Sequence, residues 1–401
     1  MPSASASAGS IASAGSSGSA ESTAVIPTAK PAAAVEKPVL FGQNFADEAR
    51  LLYRLVSCKG DVPVTPAIAQ IIDDHCRQLA PSIEAFKKNW LDTARPFLAS
   101  IVPGDAPTKV VYPFAGGDNT TLLVTYPKAE EYTSLSLELV GDVRRVRELT
   151  PAGLTSTLRK LRARLDELLG VNTFSMSETL QKMMTGELPQ ELSFLMVGLG
   201  IHDLEPVSLR YFRLETDGSL HYFTEEELAG GKNTARRRAP TWQDGDFPEA
   251  FSNVELVFKP RGKDGPVRIQ RHIACNLDNA HVKADPALLA HLSKKGDVSM
   301  MIKAASYLLW RLDFSRIRDY ALTHAKVIVS DSTAPLPGEA ERAGYKQEVW
   351  GSFVRARIPV LKEPEREMRK FWEAQPKRAL PMRFGYLDQN DSPHLMLTQR
   401  K

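Results

Sequence analysis

The chain has 401 residues, 43% of them hydrophobic, enough to bury a substantial core as one large domain or two modest ones. Its 51 basic and 48 acidic side chains leave a formal charge of +3, which excludes a strong general field toward nucleic acid or a membrane surface. There is no run of about 18 apolar residues, so no transmembrane segment is expected.

Residues 1–38 are dominated by Ser, Ala, Gly and Pro and carry too few large apolar groups to offset the entropy of ordering. They form a flexible tether. No positively charged start with an apolar core precedes it, so no signal peptide is expected in the sequence as it stands. Tethers of this composition are common in exported and lipid-anchored bacterial proteins, so a periplasmic or envelope location, a removed signal with a lipid anchor, and the cytoplasm all stay open. Residues 39–108 are a helical segment, with apolar positions at helical spacing over Asn44–Ser57, Pro66–Leu79 and Ser82–Leu98. Cys58 and Cys76 flank turn signals within it. Their spacing suits a disulfide in an oxidising compartment and a pair of buried thiols in a reducing one equally.

Lys109–Glu138 is the stretch with the clearest functional pattern. A β-branched strand around Val110 and Val111 runs into Gly116-Gly117-Asp118, a short helix over Asn119–Tyr126 follows, and Tyr132–Leu139 alternates as a second strand. A β-α-β unit of this kind brings Gly116, Gly117, Asp118 and Glu138 to the carboxyl ends of neighbouring parallel strands, where open α/β sheets bind ligands. The same turn also suits a purely structural role, with Asp118 as a helix cap.

Thr150-Pro151 opens a helix that Gly170 closes, with a leucine stripe on one face and Arg159, Lys160, Arg162 and Arg164 on the other. Without interleaved aromatics, that basic face is a solvated surface, not a nucleic-acid site. Phe174–Gly186 suits another short helix, and Leu192–Gly200 is apolar without distinguishing helix from strand. Two antiparallel hairpins are expected between about 205 and 275: Val207–Leu214 with Ser219–Phe223, and Val254–Phe258 with Val267–Ile273. Between them, 230–245, with Arg236, Arg237 and Arg238, is expected to be a mobile loop. A strand at Val298–Ile302, a long helix over Ala304–Ala325 and a strand at Lys326–Val329 then return to the α/β rhythm. Ser330-Asp331-Ser332-Thr333 ends that strand as the partner of the glycine turn. A charged helix around Met368–Trp372 and a strand-like Met382–Tyr386 complete the pattern.

The candidate ligand-binding residues are therefore Gly116, Gly117, Asp118, Glu138, Lys303, Ser306, Asp331 and Ser332. A Ser306–Lys303 nucleophile pair is conceivable on spacing, but a capping serine and a solvated lysine are commoner, and no G-x-S-x-G follows a strand. His272, Cys275, Asp278 and His281 lack the paired chelating spacings of a zinc site, so no metal is expected.

The segments V-V-Y-P-F-A-G-G-D (Val110–Asp118) and S-L-E-L-V-G-D (Ser136–Asp142) resemble a family of uncharacterised bacterial exported and lipoprotein-like proteins. The likeness resumes at K-A-A-S-Y-L-L (Lys303–Leu309), F-S-R-I-R (Phe314–Arg318), V-S-D-S-T (Val329–Thr333), W-G-S-F (Trp350–Phe353) and F-G-Y (Phe384–Tyr386). It implies export, a disulfide-permissive setting for Cys58 and Cys76, and a grouping of the glycine turn with Lys303 and Asp331. Related sequences often carry Asp-Asp-Ser-Gly where Ser330-Asp331-Ser332-Thr333 stands here. The layout of residues 109–138 is also similar to the cofactor half of class I methyltransferases, in which the acid after the second strand holds the ribose of S-adenosylmethionine. The order of strands and helices along the chain predicts an α/β, Rossmann-like, mostly parallel sheet over 109–401 with inserted antiparallel hairpins. Three functions follow as expectations: a small polar ligand bound in an envelope protein, a methyltransferase-like enzyme using S-adenosylmethionine, or a non-catalytic scaffold for envelope partners.

Overall fold

Twelve stretches of the sequence pair as strands in the computed structural model, which describes residues 42–170, 188–229, 236–238, 246–303, 305–333, 335–355, 361–385 and 392–401. They are β1 (Lys109–Pro113), β2 (Glu131–Ser136), β3 (Leu204–Leu214), β4 (Leu220–Tyr222), β5 (Arg236–Arg238), β6 (Asp246–Pro248), β7 (Val254–Pro260), β8 (Arg268–Ala274), β9 (Val298–Ile302), β10 (Ala325–Ser330), β11 (Tyr345–Gly351) and β12 (His394–Arg400). Ten join one sheet in the order β11-β12-β10-β9-β1-β2-β8-β7-β3-β4. The five central strands β8, β2, β1, β9 and β10 run parallel. In chain order they are the third, second, first, fourth and fifth of their set, which is the Rossmann-like arrangement. The order reverses at β1, between β2 and β9. β9 is buried along its whole length and β1 everywhere but Lys109, as strands covered on both faces must be.

Antiparallel strands flank this core. On one side β12 inserts between β10 and β11 and opposes both. On the other, β7 and β3 follow β8 as antiparallel neighbours, and β4 closes the edge. Both hairpins expected from the sequence therefore exist, but β8 belongs equally to the parallel core, because it pairs in register with β2 from Glu131↔Ile269 to Ser136↔Ala274.

Side-chain alternation sends Val110, Tyr112, Tyr132, Leu256, Met301 and Val329 into a large core on one face of the sheet. The helices Ala46–Ser57, Pro66–Phe86, Asp92–Ile101, Asn119–Thr125, Pro151–Gly170 and Gln190–Ile201 contribute to the same core. Val111, Leu135, Met300 and Ile328 point the other way, toward the helices Ala287–Ser293 and Ser315–His324. Leu40–Lys401 form one compact unit, so the N-terminal helices belong to the domain and do not stand apart from it. Trp90 seals this with a 2.6 Å hydrogen bond to the Arg383 carbonyl. The two helices expected between Pro66 and Leu98 are one near-continuous rod ending at Ile101, interrupted by a single wide turn at Lys87–Leu91. Cys58 and Cys76 are joined by a disulfide that ties this rod to the preceding helix.

Several local expectations change. The long helix over Ala304–Ala325 is instead two short 3₁₀ turns, Ser306–Trp310 and Leu312–Phe314, followed by Ser315–His324. The apolar stripe Trp310, Phe314, Ile317 does have helical spacing, but Trp310 is drawn into a separate core beside Val349, Met368 and Trp372. Arg236–Arg238, expected in a loop, pair with Asp246–Pro248 as a two-stranded ribbon. Leu192–Gly200 is helical, and the described part of Met382–Tyr386 is irregular. The expected helix at Phe174–Gly186 lies outside the described residues. Among those described, no helix is long and apolar enough to cross a membrane.

Candidate functional site

The glycine turn leaves β1 in a backbone conformation that L residues avoid. Phe114 has φ 60° and Gly116 φ 51°. A bulky residue there costs about 1–2 kcal/mol, and such strain concentrates at functional sites. The turn is fastened to β2 by the Ala115 amide, which donates to the Leu135 carbonyl at 2.9 Å. Gly117 serves close approach, since a Cβ there would lie 3.0 Å from the Phe194 side chain of helix Gln190–Ile201.

Asp118 follows directly and is committed on both sides. One carboxylate oxygen accepts the Thr121 amide at 3.2 Å, capping the short helix, and the other accepts from the Lys303 ammonium. Lys303, at the end of β9, is fully buried, donates also to Thr121 Oγ1 at 3.1 Å and faces the Phe384 ring at 5.4 Å. Burial pulls the lysine pKa down, while Asp118 and then Asp331 hold it up. Asp331 ends β10 on the far side of β9 and accepts from Ser306 Oγ at 2.5 Å and from the Thr333 amide at 2.9 Å. Ser332 donates its amide to His394 Nδ1 at 2.9 Å and its hydroxyl to the Val354 carbonyl at 2.8 Å. The segments expected to meet across one hollow thus do meet, but as a buried polar lattice. Ser306 is bonded to Asp331 and Lys303 to Asp118, a pattern that positions the loops.

Glu138 belongs to a second group. It lies two residues past β2, with its carbonyl accepting from His272 Nε2 at 2.9 Å. That contact fixes the neutral histidine as the Nε2–H tautomer, so Nδ1 carries the lone pair. Ser134 Oγ lies 3.2 Å from Nδ1, and Glu191 Oε1 is 3.8 Å from it. Glu191, in the first turn of helix Gln190–Ile201, is fully buried and neither of its oxygens has a hydrogen-bond partner among the described residues. Glu138 is 8% exposed and its Oε1 likewise has no partner among the described residues. Burial, then the charge of Glu138, raises the Glu191 pKa well above the carboxylate range, and burial lowers that of His272.

Tyr112, on β1 between the groups, joins them electrostatically. Its phenol is held well above its ordinary pKa by burial, and Asp118, Asp331 and Glu191 all act on it. The other residues considered as metal ligands are dispersed: Cys275 lies in the core of the opposite face, and Asp278 caps helix Asn279–Ala284 and bonds His281. Among the described residues no group of three or more His, Cys, Asp or Glu side chains could hold a metal ion.

Sequence reasoning missed Glu191, His272 and Tyr112 as site members. Glu191 did carry a signal, as an acid opening an otherwise apolar stretch. No protein-family model, curated protein or solved structure matches the chain.

Proposed function

We propose that this chain is a ligand-binding α/β domain on a class I methyltransferase scaffold, taking a small polar ligand at the carboxyl ends of β1 and β2 with Glu138 as its principal contact. The observation that carries this is Glu138 itself. It is an acid just past the second strand, beside a strained glycine turn, with a buried oxygen that has no hydrogen-bond partner among the described residues. A buried, unsatisfied acceptor is costly unless something supplies a donor. The sheet order supports the scaffold, because the parallel set followed by a reversed strand inserted before the last is the layout of those methyltransferases. S-adenosylmethionine and simple nucleosides are therefore the first ligands to test, with sugars and cell-wall fragments beside them. Asp118, with both oxygens engaged, shapes the turn. Lys303, Ser306, Asp331 and Ser332 brace the loops around it.

The Cys58–Cys76 disulfide and the likeness to exported bacterial proteins favour the periplasm or envelope over the cytosol. Titration calorimetry of this panel against wild type and Glu138→Ala tests the reading. A ligand bound by the wild type and weakened at least about tenfold by the substitution, worth roughly 1.4 kcal/mol, is the expected result. Equal affinity in both proteins, or no binding across the panel, overturns it.

A further inference from the structure

At the amino end of β1, opposite the edge that carries Glu138, a cleft of about 150 Å³ opens between three pieces of chain. They are the end of helix Asp92–Ile101, the 102–108 connection and the end of helix Asn119–Thr125 with the loop after it. Its walls are Val102, Pro103, Ala106, Pro107, Pro127 and Ala129. The polar groups of the lining are engaged within the protein. The Thr125 hydroxyl donates to the Thr121 carbonyl at 2.7 Å, the Tyr126 phenol to the Met300 carbonyl at 2.6 Å and the Thr108 hydroxyl to Glu130 Oε2 at 3.2 Å. The carbonyls of Pro103, Pro107 and Tyr126 accept from the Ala106 amide, the Ser299 hydroxyl and the Tyr132 phenol at 3.1, 2.9 and 2.7 Å. Proline has no N–H to offer, and its fixed φ stiffens the loops, so the cleft is a pre-formed C–H surface.

We propose that this cleft is a second binding site, independent of the one at Glu138, for a small monocarboxylate with a compact apolar body. The body lies against the prolines and the carboxylate meets Lys128. Size agrees, since an apolar cavity of about 150 Å³ takes up benzene. Charge agrees as well. Lys128 is the only charged residue of the lining among the described residues, it is exposed, and no carboxylate there pairs with it. A cationic ligand would meet that ammonium with repulsion. A polyol would press hydroxyls against C–H surface that offers them no partner. The class is thus an aromatic or similarly compact carboxylic acid, in contrast to an amine or a sugar.

The probe is 4-fluorobenzoate, whose ¹⁹F signal is followed as the full chain is added, with 4-fluorobenzylamine at equal ionic strength as the oppositely charged comparison. The expected result is saturable broadening with the carboxylate and binding at least about tenfold weaker for the amine. Gly104→Leu abolishes the broadening. Gly104 lines the cleft, and a Cβ added there meets no atom within 4 Å, so the new side chain occupies the space without displacing the fold. Lys128→Glu, a charge reversal on an exposed side chain, weakens binding at least about tenfold, whereas Lys263→Glu, exposed in the turn between β7 and β8, leaves it unchanged. Full binding by Gly104→Leu or Lys128→Glu, equal binding of the amine, or no saturable binding by the wild type overturns the proposal. Should Gly104→Leu fail to fold, the methyl ¹³C signals of Ala106 and Ala129 in the wild type decide. Both must move with 4-fluorobenzoate, and unmoved signals overturn it.

Discussion

Lys303 shows what a buried charge demands of its neighbours. Its ammonium is shielded from water and held by Asp118 and Thr121, so its main task is to lock the glycine turn to the end of β9. Lys303→Met should cost about 3–5 kcal/mol in urea denaturation, because Asp118 is left as an unpaired buried charge. Lys303→Met with Asp118→Asn, which keeps a helix-capping oxygen, should recover most of that loss. Gly117 makes a separate case. Gly117→Ala should destabilise by about 1–3 kcal/mol, since the new methyl meets Phe194 at 3.0 Å. Phe194→Leu in the same chain should return part of it, read as a shift in the denaturation midpoint.

Among the elements, the disulfide joins a helix end at Cys58 to the rod that carries Cys76, 18 residues later. Replacing both cysteines by alanine should lower stability by about 2–4 kcal/mol, as expected for opening a loop of that length, measurable by denaturation with and without reductant. The β1-turn-helix-β2 unit was legible in the sequence because each signal is local: β-branched residues, two glycines, a capping aspartate and a second alternating run. The hairpin around Asp217-Gly218 was legible for the same reason. β11 and β12 were not, because Tyr345–Gly351 carries Lys346, Gln347 and Glu348 and becomes a strand only through pairing with residues 394–400. The break of the helix after Lys303 was hidden too, since Trp310 leaves the stripe for a core built from residues up to 86 positions away. Within the site, the contact of Asp118 with Lys303 could be anticipated from the two strand ends. The approach of Glu191 to His272 could not, because it depends on how a distant helix crosses the sheet.

At the scale of the molecule, buried histidines set the response to acid. Burial lowers His75 and His291 from the ordinary imidazole value to about 4; at His75 the Arg162 guanidinium also contributes, donating to Nδ1 at 2.9 Å. Both are neutral in the fold, so below the unfolded value of about 6.5 the unfolded chain takes up protons first. Stability should be full above about pH 6.5 and fall as the pH drops toward 4, by at most about 3 kcal/mol per histidine. The urea midpoint measured across this window checks it, and His75→Gln should flatten the decline in part, since His202 and His272 are lowered by burial as well and keep their contributions.

The insertion of β12 between β10 and β11 has a consequence for biosynthesis. Two segments made earlier, 325–330 and 345–351, have no direct partner in each other and stay apart until 394–400 emerges from the ribosome and threads the gap. The growing polypeptide must therefore wait with that side of its sheet unzipped, exposing sticky backbone to any holdase or export factor that meets it before translation reaches those codons.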